Sequence, residues 1–313
     1  MSREGSPAEL RRAPSPPPAE KIGSVPHWYS HPYNRPELYR LAEVMAWLPR
    51  TMRLGLARQL GRLAARLMPQ EREAVRTTMT AVTGAVGARL DELTGRVFRD
   101  FAMCFSDLVS TNREGPARYL RRIARVTGAG PLRDLDGGVI SLTAHMGNWE
   151  LAGRLLAGHS AKETHVVVTV DEAAKLTRWV RRNGDGVRFV PRARQTSSLG
   201  LLAALRRGEA VAVQADRALG NRGDVMVSFF GRPAPFPIGP FVLARASGVP
   251  LVPAFCLLDA DYGYEVEVAP LMRVARSEEE AALRTWVGLL ESMVRRRPTQ
   301  WFNFFDIWNP FGA

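Results

Sequence analysis

Cysteine is scarce in this 313-residue sequence: only Cys104 and Cys256 occur, far apart and in apolar surroundings. A disulfide framework is therefore excluded, and the absence of any CxxC pair excludes a thiolate zinc site; two reduced core thiols in a cytoplasmic protein are expected. Long hydrophobic runs are missing as well. The longest charge-free stretches, such as Ala246 to Leu258, reach about 13 residues, short of the ~20 that a spanning helix needs. The N-terminal residues hold no apolar core of a secretory leader, so no export signal is expected. No HExxH, GxxxxGK[ST] or GxSxG occurs, and Gly128-Ala129-Gly130 lacks the rest of a dinucleotide fingerprint. Zinc hydrolysis, P-loop nucleotide binding and the serine-hydrolase elbow lose their motifs. Neither a metal nor a redox cofactor is expected.

Lysine is nearly absent, with Lys21, Lys162 and Lys175 the only three, yet 43 basic against 31 acidic residues give a net charge of +12. The cations are arginines, whose planar forks suit phosphate and carboxylate. Anionic lipid, an acidic carrier protein and nucleic acid are the partner classes this charge admits. Nucleic acid is the poorest fit, because the arginines are spread along the chain rather than interleaved with aromatics.

Residues 1–26 collect Pro14, Pro16, Pro17, Pro18 and Pro26 among small and charged residues, a composition expected to remain a disordered tail. Residues 27–127 read as an N-terminal helical region. Within it Leu56, Leu60, Leu63 and Leu67 share one helical face, opposite Arg58, Arg62 and Arg66. Such a face either packs on the protein or lies on a membrane surface with its arginines at the phosphates. A further helix is predicted over Asp91 to Val109.

From residue 128 to 313 the texture changes. Strands are predicted at Gly138–Ala144, His165–Val170, Ala210–Ala215, Val225–Phe230, Val249–Cys256 and Glu265–Ala269. Helical stretches lie between them at Glu150–Ala157, Ala173–Arg182, Ser197–Arg207 and Gly239–Ser247. This alternation predicts an α/β core with a central, mostly parallel mixed sheet flanked by helices, and residues 27–313 are expected to fold as one unit. A last helix is marked by Ser277 and Glu280 as a capping box, an apolar stripe of Leu283, Trp286, Leu290 and Met293, and basic residues at its end. The aromatic run Trp301, Phe302, Phe304, Phe305 and Trp308 faces either the core, an acyl chain or the membrane interface.

Strand-to-helix junctions at the carboxyl edge of such a sheet are where reactive groups collect. One junction carries the needed residue types: Val139 to Ala144 runs into His145-Met146-Gly147-Asn148-Trp149-Glu150. A His whose second ring nitrogen meets a carboxylate is a general base with a fixed tautomer. Gly147 would let a substrate approach the backbone, Asn148 would cap the helix or donate to an oxyanion, and the helix N-terminus offers amide donors. The residues equally fit a structural His satisfied by a backbone carbonyl. His27, His31, His159 and His165 have no partner nearby in sequence.

The segment His145 to Glu150 resembles the His-x4-Asp/Glu signature of the lipid A biosynthesis acyltransferases, within the wider lysophospholipid and glycerol-phosphate acyltransferase superfamily. Three later segments resemble further blocks in order. Gly186 to Arg192 is similar to the block that binds a phosphorylated acceptor. Gln214-Ala215-Asp216-Arg217 with Phe229-Phe230-Gly231-Arg232-Pro233-Ala234 is similar to the lipid A branch's third block, and Gly248 to Pro253 to the fourth. The Glu-Gly-Thr-Arg of glycerolipid enzymes is absent, and the family's Asp-Gln is Asp216-Arg217 here.

The resemblance implies an acyltransferase-type fold and transfer of a fatty acyl group from acyl carrier protein or CoA to a hydroxyl of a membrane glycolipid or lipid A-like acceptor. It further implies His145 as base with Glu150 as its partner, and Asn148, Arg192, Asp216, Arg217 and Gly231 toward the substrates. The expected setting is the cytoplasmic face of a bacterial inner membrane, bound peripherally to anionic lipid. A catalytically silent, basic lipid-binding protein on the same fold is the competing reading.

Overall fold

The computed structural model describes residues 36–111, 114, 118, 120–130, 135–149, 151–152, 162–169, 187–192, 194–220 and 223–310. The Pro-rich segment 1–26, His27, His31, His159, Gly186, Glu150 and the helix expected over Ala173–Arg182 lie outside these residues.

Four helices come first: α1 Pro36–Met45, α2 Arg50–Leu67, α3 Pro69–Thr83 and α4 Gly87–Ser110. α4 is the hub of this group. Its Leu90, Leu93, Val97 and Phe98 are buried and join one continuous core with the sheet and residues 301–308. α2 turns Arg53, Leu54, Ala57 and Gly61 inward toward α4, rather than most of the leucine stripe. Leu56, Leu63 and Leu67 are 41%, 47% and 70% exposed, whereas Leu60 is half-buried against the core, so of the stripe only Leu60 packs on the protein. Small residues let the two helices approach, and Arg53 is neutralised where it enters. Its guanidinium meets Asp107 at 3.0 Å and the carbonyl oxygen of Ser106 at 2.6 Å.

Seven strands form the main sheet: β1 Ile123–Thr127, β2 Val139–Thr143, β3 Thr164–Thr169, β4 Val187–Arg192, β5 Ala210–Gln214, β8 Leu251–Leu258 and β9 Tyr264–Val268. Their spatial order is β1-β9-β8-β2-β5-β3-β4. All neighbours run parallel except β8 and β9, which are antiparallel. The sheet is therefore mostly parallel and mixed, and it is flanked by α5 Arg194–Arg206, α6 Gly239–Ser247 and α7 Glu279–Arg296. The strands β2 and β5 are buried along most of their length, as expected for parallel strands covered on both faces.

A separate hairpin joins β6 Asp224–Phe229 to β7 Arg232–Pro237. β7 has proline at every second position, Pro233, Pro235 and Pro237. This spacing puts each missing N–H on the side away from β6, the arrangement an edge strand tolerates. The connecting residues Phe230 and Gly231 both have positive φ, +50° and +73°, as a two-residue hairpin turn requires.

α7 starts differently from the expected capping box. Its N-cap is Glu278, which makes no side-chain cap bond, and Ser277 sits at φ +68°. Glu279 and Glu280 in the first turn supply the negative charge instead, and Glu279 pairs with Arg245 of α6. Along α7 the stripe Leu283, Trp286, Leu290 and Met293 is buried as predicted. Trp301, Phe302, Phe304, Phe305 and Trp308 are all at most 8% exposed, so the aromatic run belongs to the core.

Candidate active site

β2 and β5 lie side by side in parallel with Thr143 opposite Gln214. Two residues beyond that pair stand His145 and Asp216, so the register delivers both to the carboxyl edge in step. The His145 ring nitrogen Nδ1 lies 2.7 Å from Asp216 Oδ1, and the backbone N–H of His145 donates to Oδ2 at 3.0 Å. Trp301 Nε1 donates to the same Oδ2 at 3.0 Å. Asp216 is fully enclosed while the His145 side chain keeps 12% exposure.

Burial opposes the charge on Asp216. The positive charge and hydrogen bonds of His145, with Arg217 beside it, outweigh that cost and hold the carboxyl below its usual range. An ionised carboxylate at this distance requires Nδ1 to carry the ring proton, leaving Nε2 as the basic nitrogen. Asp216, expected toward the substrate, thus sits under the His ring, in the position a base-orienting acid takes.

The turn after His145 is built tightly. Gly147 has φ +59°, and a methyl group there would run into the carbonyl oxygen of Cys256. Its N–H donates to the Gln300 carbonyl oxygen at 2.8 Å, and the Asn148 N–H to the Cys256 carbonyl oxygen at 2.8 Å. These two amides are committed within the protein, and the close approach at Gly147 is made by β8, not by a substrate.

Asn148 is 3% exposed and faces inward. Its Oδ1 accepts the Leu151 N–H at 3.4 Å, which caps the helical turn, and its Nδ2 donates to Tyr264 Oη at 3.1 Å and the Cys104 carbonyl oxygen at 3.3 Å. Of its two sequence-derived roles the capping one is realised. Tyr264 Oη in turn donates to Asp107 Oδ2 at 3.0 Å. Asp107 has no solvent exposure and also meets Arg50, Arg53 and Arg122. Burial raises the cost of its charge, but these three arginines hold the carboxyl below its usual range. A buried ionic cluster on α2 and α4 therefore braces the turn that carries His145. Asp107 and Tyr264 carry no local motif, and only the packing of β9 against α4 brings them together.

Arg217 is 6% exposed. Its Nη2 donates to the Phe302 carbonyl oxygen at 2.7 Å and its Nε to Asn303 Oδ1 at 3.2 Å, with the guanidinium 5.3 Å from the Phe305 ring centroid. Gly231 lies at the exposed tip of the β6–β7 hairpin. Arg192 ends the edge strand β4, opposite Thr169, and its side chain is outside the described residues. His165, expected to be without a partner, has Nε2 2.6 Å from Glu209 Oε2. Hydrogen bonds from Arg207 and His165 hold the Glu209 carboxyl down to about 2.

Beside the His145 ring, the Trp149 ring stands with centroids 5.2 Å apart. Residues 301–302 close the site from above: Met146 bridges to Trp301, and the Phe302 N–H donates to the His145 carbonyl oxygen at 2.8 Å. The described residues hold no cluster of three or more His, Cys, Asp or Glu suited to a metal.

A family model described as bacterial lipid A biosynthesis acyltransferase matches residues 40–309. Similar proteins include a phosphatidylinositol mannoside acyltransferase of Mycobacterium tuberculosis, 26% identical over 210 residues, which are 64% of this chain and 64% of that protein. The corresponding protein of Mycolicibacterium smegmatis is 25% identical over 178 residues, 56% of this chain and 58% of its own length. A lipid A biosynthesis palmitoleoyltransferase of Escherichia coli is 25% identical over 166 residues, 52% of this chain and 53% of its own length. The chain thus matches less than two thirds of the length of each of these relatives.

Proposed function

The chain belongs to the bacterial lipid A biosynthesis acyltransferase family, and from that premise we propose that it transfers a fatty acyl group from a thioester to a hydroxyl of a membrane glycolipid. Its relatives include proteins named for lipid A and for phosphatidylinositol mannoside, which supports a glycolipid acceptor. The donor is acyl carrier protein or CoA. The observation that carries this reading is the His145 Nδ1 contact with buried Asp216.

In the proposed reaction His145 Nε2 takes the proton of the acceptor hydroxyl as its oxygen attacks the thioester carbonyl. Asp216 fixes the tautomer and stabilises the imidazolium that forms. The carbon–sulfur bond then breaks, and His145 returns its proton to the departing thiolate, leaving an ester and a free thiol. In this reading Asp216 has an orienting role, while Glu150, the partner that the motif implies, lies outside the described residues. Arg192 and the phosphate groups of donor or acceptor remain a pairing by analogy with the family's second block, whereas Arg217 supports the site through the Phe302 and Asn303 contacts.

We further propose peripheral attachment to the cytoplasmic face of the inner membrane. No helix among the described residues is long and apolar enough to cross a membrane. Leu41, Val44 and Trp47 of α1 and its following turn, with Met52, Leu63 and Leu67 of α2, are 47–74% exposed. Arg62 and Arg66 are exposed on the same helix, a composition that suits an interfacial helix on anionic lipid.

The deciding experiment measures thiol release from acyl-acyl carrier protein and acyl-CoA, with and without bacterial lipid extract, with products read by mass spectrometry. Release that needs both lipid and His145, with an acylated glycolipid as product, is expected. No release across donors and extracts overturns the reading in favour of a silent lipid-binding protein.

A further inference from the structure

A second site lies apart from the His145–Asp216 pair. α2, α4, the β8–β9 turn and residues 296–300 enclose a cavity of about 530 Å³, within the size range of small-molecule sites. Six arginines line it, Arg58, Arg89, Arg96, Arg99, Arg296 and Arg297, against two carboxylates, Asp100 and Asp259. The carboxylates are already engaged: Asp100 accepts from Thr299 Oγ1 at 2.6 Å, and Asp259 from the backbone N–H groups of Asp261 and Gly263.

Three of the arginines are likewise spoken for, Arg89 by Glu92, Arg296 by Glu267 and Arg297 by Glu265. The other three are held by no ion pair among the described residues, although the Asp100 carboxylate acts electrostatically on Arg96 and Arg99. Arg96 and Arg99 make no ion pair or hydrogen bond to a described residue. Arg58 reaches only the neutral Tyr262 Oη, at 3.0 Å, and its buried Nε has no partner. Burial first, then the charges of Arg62 and Arg96, lower the pKa of Arg99, and the carboxylates of Asp100 and Glu92 offset only part of this.

Guanidinium groups that line one cavity outside any ion pair suit phosphate recognition, because each presents a planar fork of donors. We propose that this cavity binds a phosphorylated anion through Arg58, Arg96 and Arg99. The proposal rests on the acyltransferase reading only for the source of the phosphate, either the donor's nucleotide and phosphopantetheine phosphates or a lipid headgroup. Gln300 connects the two sites. It lines the cavity, its carbonyl oxygen accepts the Gly147 N–H at 2.8 Å, and its amide is clamped on the Leu258 backbone at 2.6 and 2.8 Å. An anion seated there lies one residue's width from the turn that carries His145.

The test is calorimetric titration of the full chain with sodium pyrophosphate at about 0.1 M NaCl, which requires no turnover and so can fail independently of the acyltransferase reading. Saturable binding is expected, weakened about tenfold or more in Arg96→Gln/Arg99→Gln. It should be unchanged in Arg284→Gln/Arg295→Gln, which removes the same charge from α7 outside the cavity. Absence of saturable binding, or equal weakening in both double variants, overturns the proposal. Displacement of pyrophosphate by CoA assigns the site to donor phosphates, and displacement by phosphatidylglycerol vesicles assigns it to a lipid headgroup; either supports it.

Discussion

His145 and Asp216 are joined twice, by ring Nδ1 to Oδ1 at 2.7 Å and by backbone N–H to Oδ2 at 3.0 Å. The double attachment fixes both the ring and the main chain from which it projects. His145→Ala and Asp216→Asn are each expected to lower kcat by about 10³–10⁴ with little change in KM. The double variant should fall little further than either single one, because the two act as a unit. Steady-state thiol release checks this, and additive losses would separate Asp216 from the base.

Acid should act on the same pair. The Asp216 carboxyl is held below its usual range in the folded chain, whereas an unfolded aspartate titrates near about 3.9. The folded state therefore binds fewer protons between those two values, and the stability contributed by Asp216 is complete above the unfolded value and lost as pH falls through the folded one. In urea titrations from pH 7 to pH 3, the gap between wild type and Asp216→Asn should stay constant down to about pH 5 and then close. A gap that widened on acidification would reverse the assignment of charge.

Asp107, itself without solvent exposure, anchors three arginines. Asp107→Ala leaves the buried Arg53 uncompensated and is expected to cost about 3–5 kcal/mol. Tyr264→Phe removes the link to Asn148 while sparing the ion pairs, at about 1–1.5 kcal/mol. Equilibrium denaturation of both variants tests this ordering.

The proposed membrane attachment through α2 predicts a different signature. Leu63→Glu/Leu67→Glu alters residues that are 47% and 70% exposed, so the thermal midpoint should stay within a few degrees of wild type. Flotation with anionic vesicles should nonetheless drop several-fold. Equal flotation would remove this face from the contact.

A further substitution probes the turn itself. Gly147→Ala places a side chain at positive φ and against the Cys256 carbonyl oxygen, and should cost at least about 2 kcal/mol. Circular dichroism melts read the loss directly.

Local pattern carried much of this architecture. The strands β2, β3, β5, β6, β8 and β9 announce themselves through β-branched runs, and α7 through its buried stripe. β7 does not, since prolines at alternate positions look like a loop until an edge is available. His145 and Asp216 each stand out in their own segments, yet their pairing spans 71 residues and depends on the β2–β5 register. The leucine stripe of α2 was legible as amphipathic, but which face turns inward was decided by Ala57, Gly61 and the neutralised Arg53, features a hydrophobic pattern ranks poorly.

The closure of the site by residues 300–303 also sets an order of events during synthesis. Trp301 reaches Asp216 from 85 residues further along the chain, and Gln300 and Phe302 pin the turn around His145. A ribosome-bound chain in which the β-strands have already emerged still lacks these ties, since N-terminal portions appear and fold first. The His145–Asp216 pair is consequently enclosed late, when the nascent polypeptide already carries α1 to α4, and a chain stalled before Gln300 would hold its N-terminal helices without a finished site.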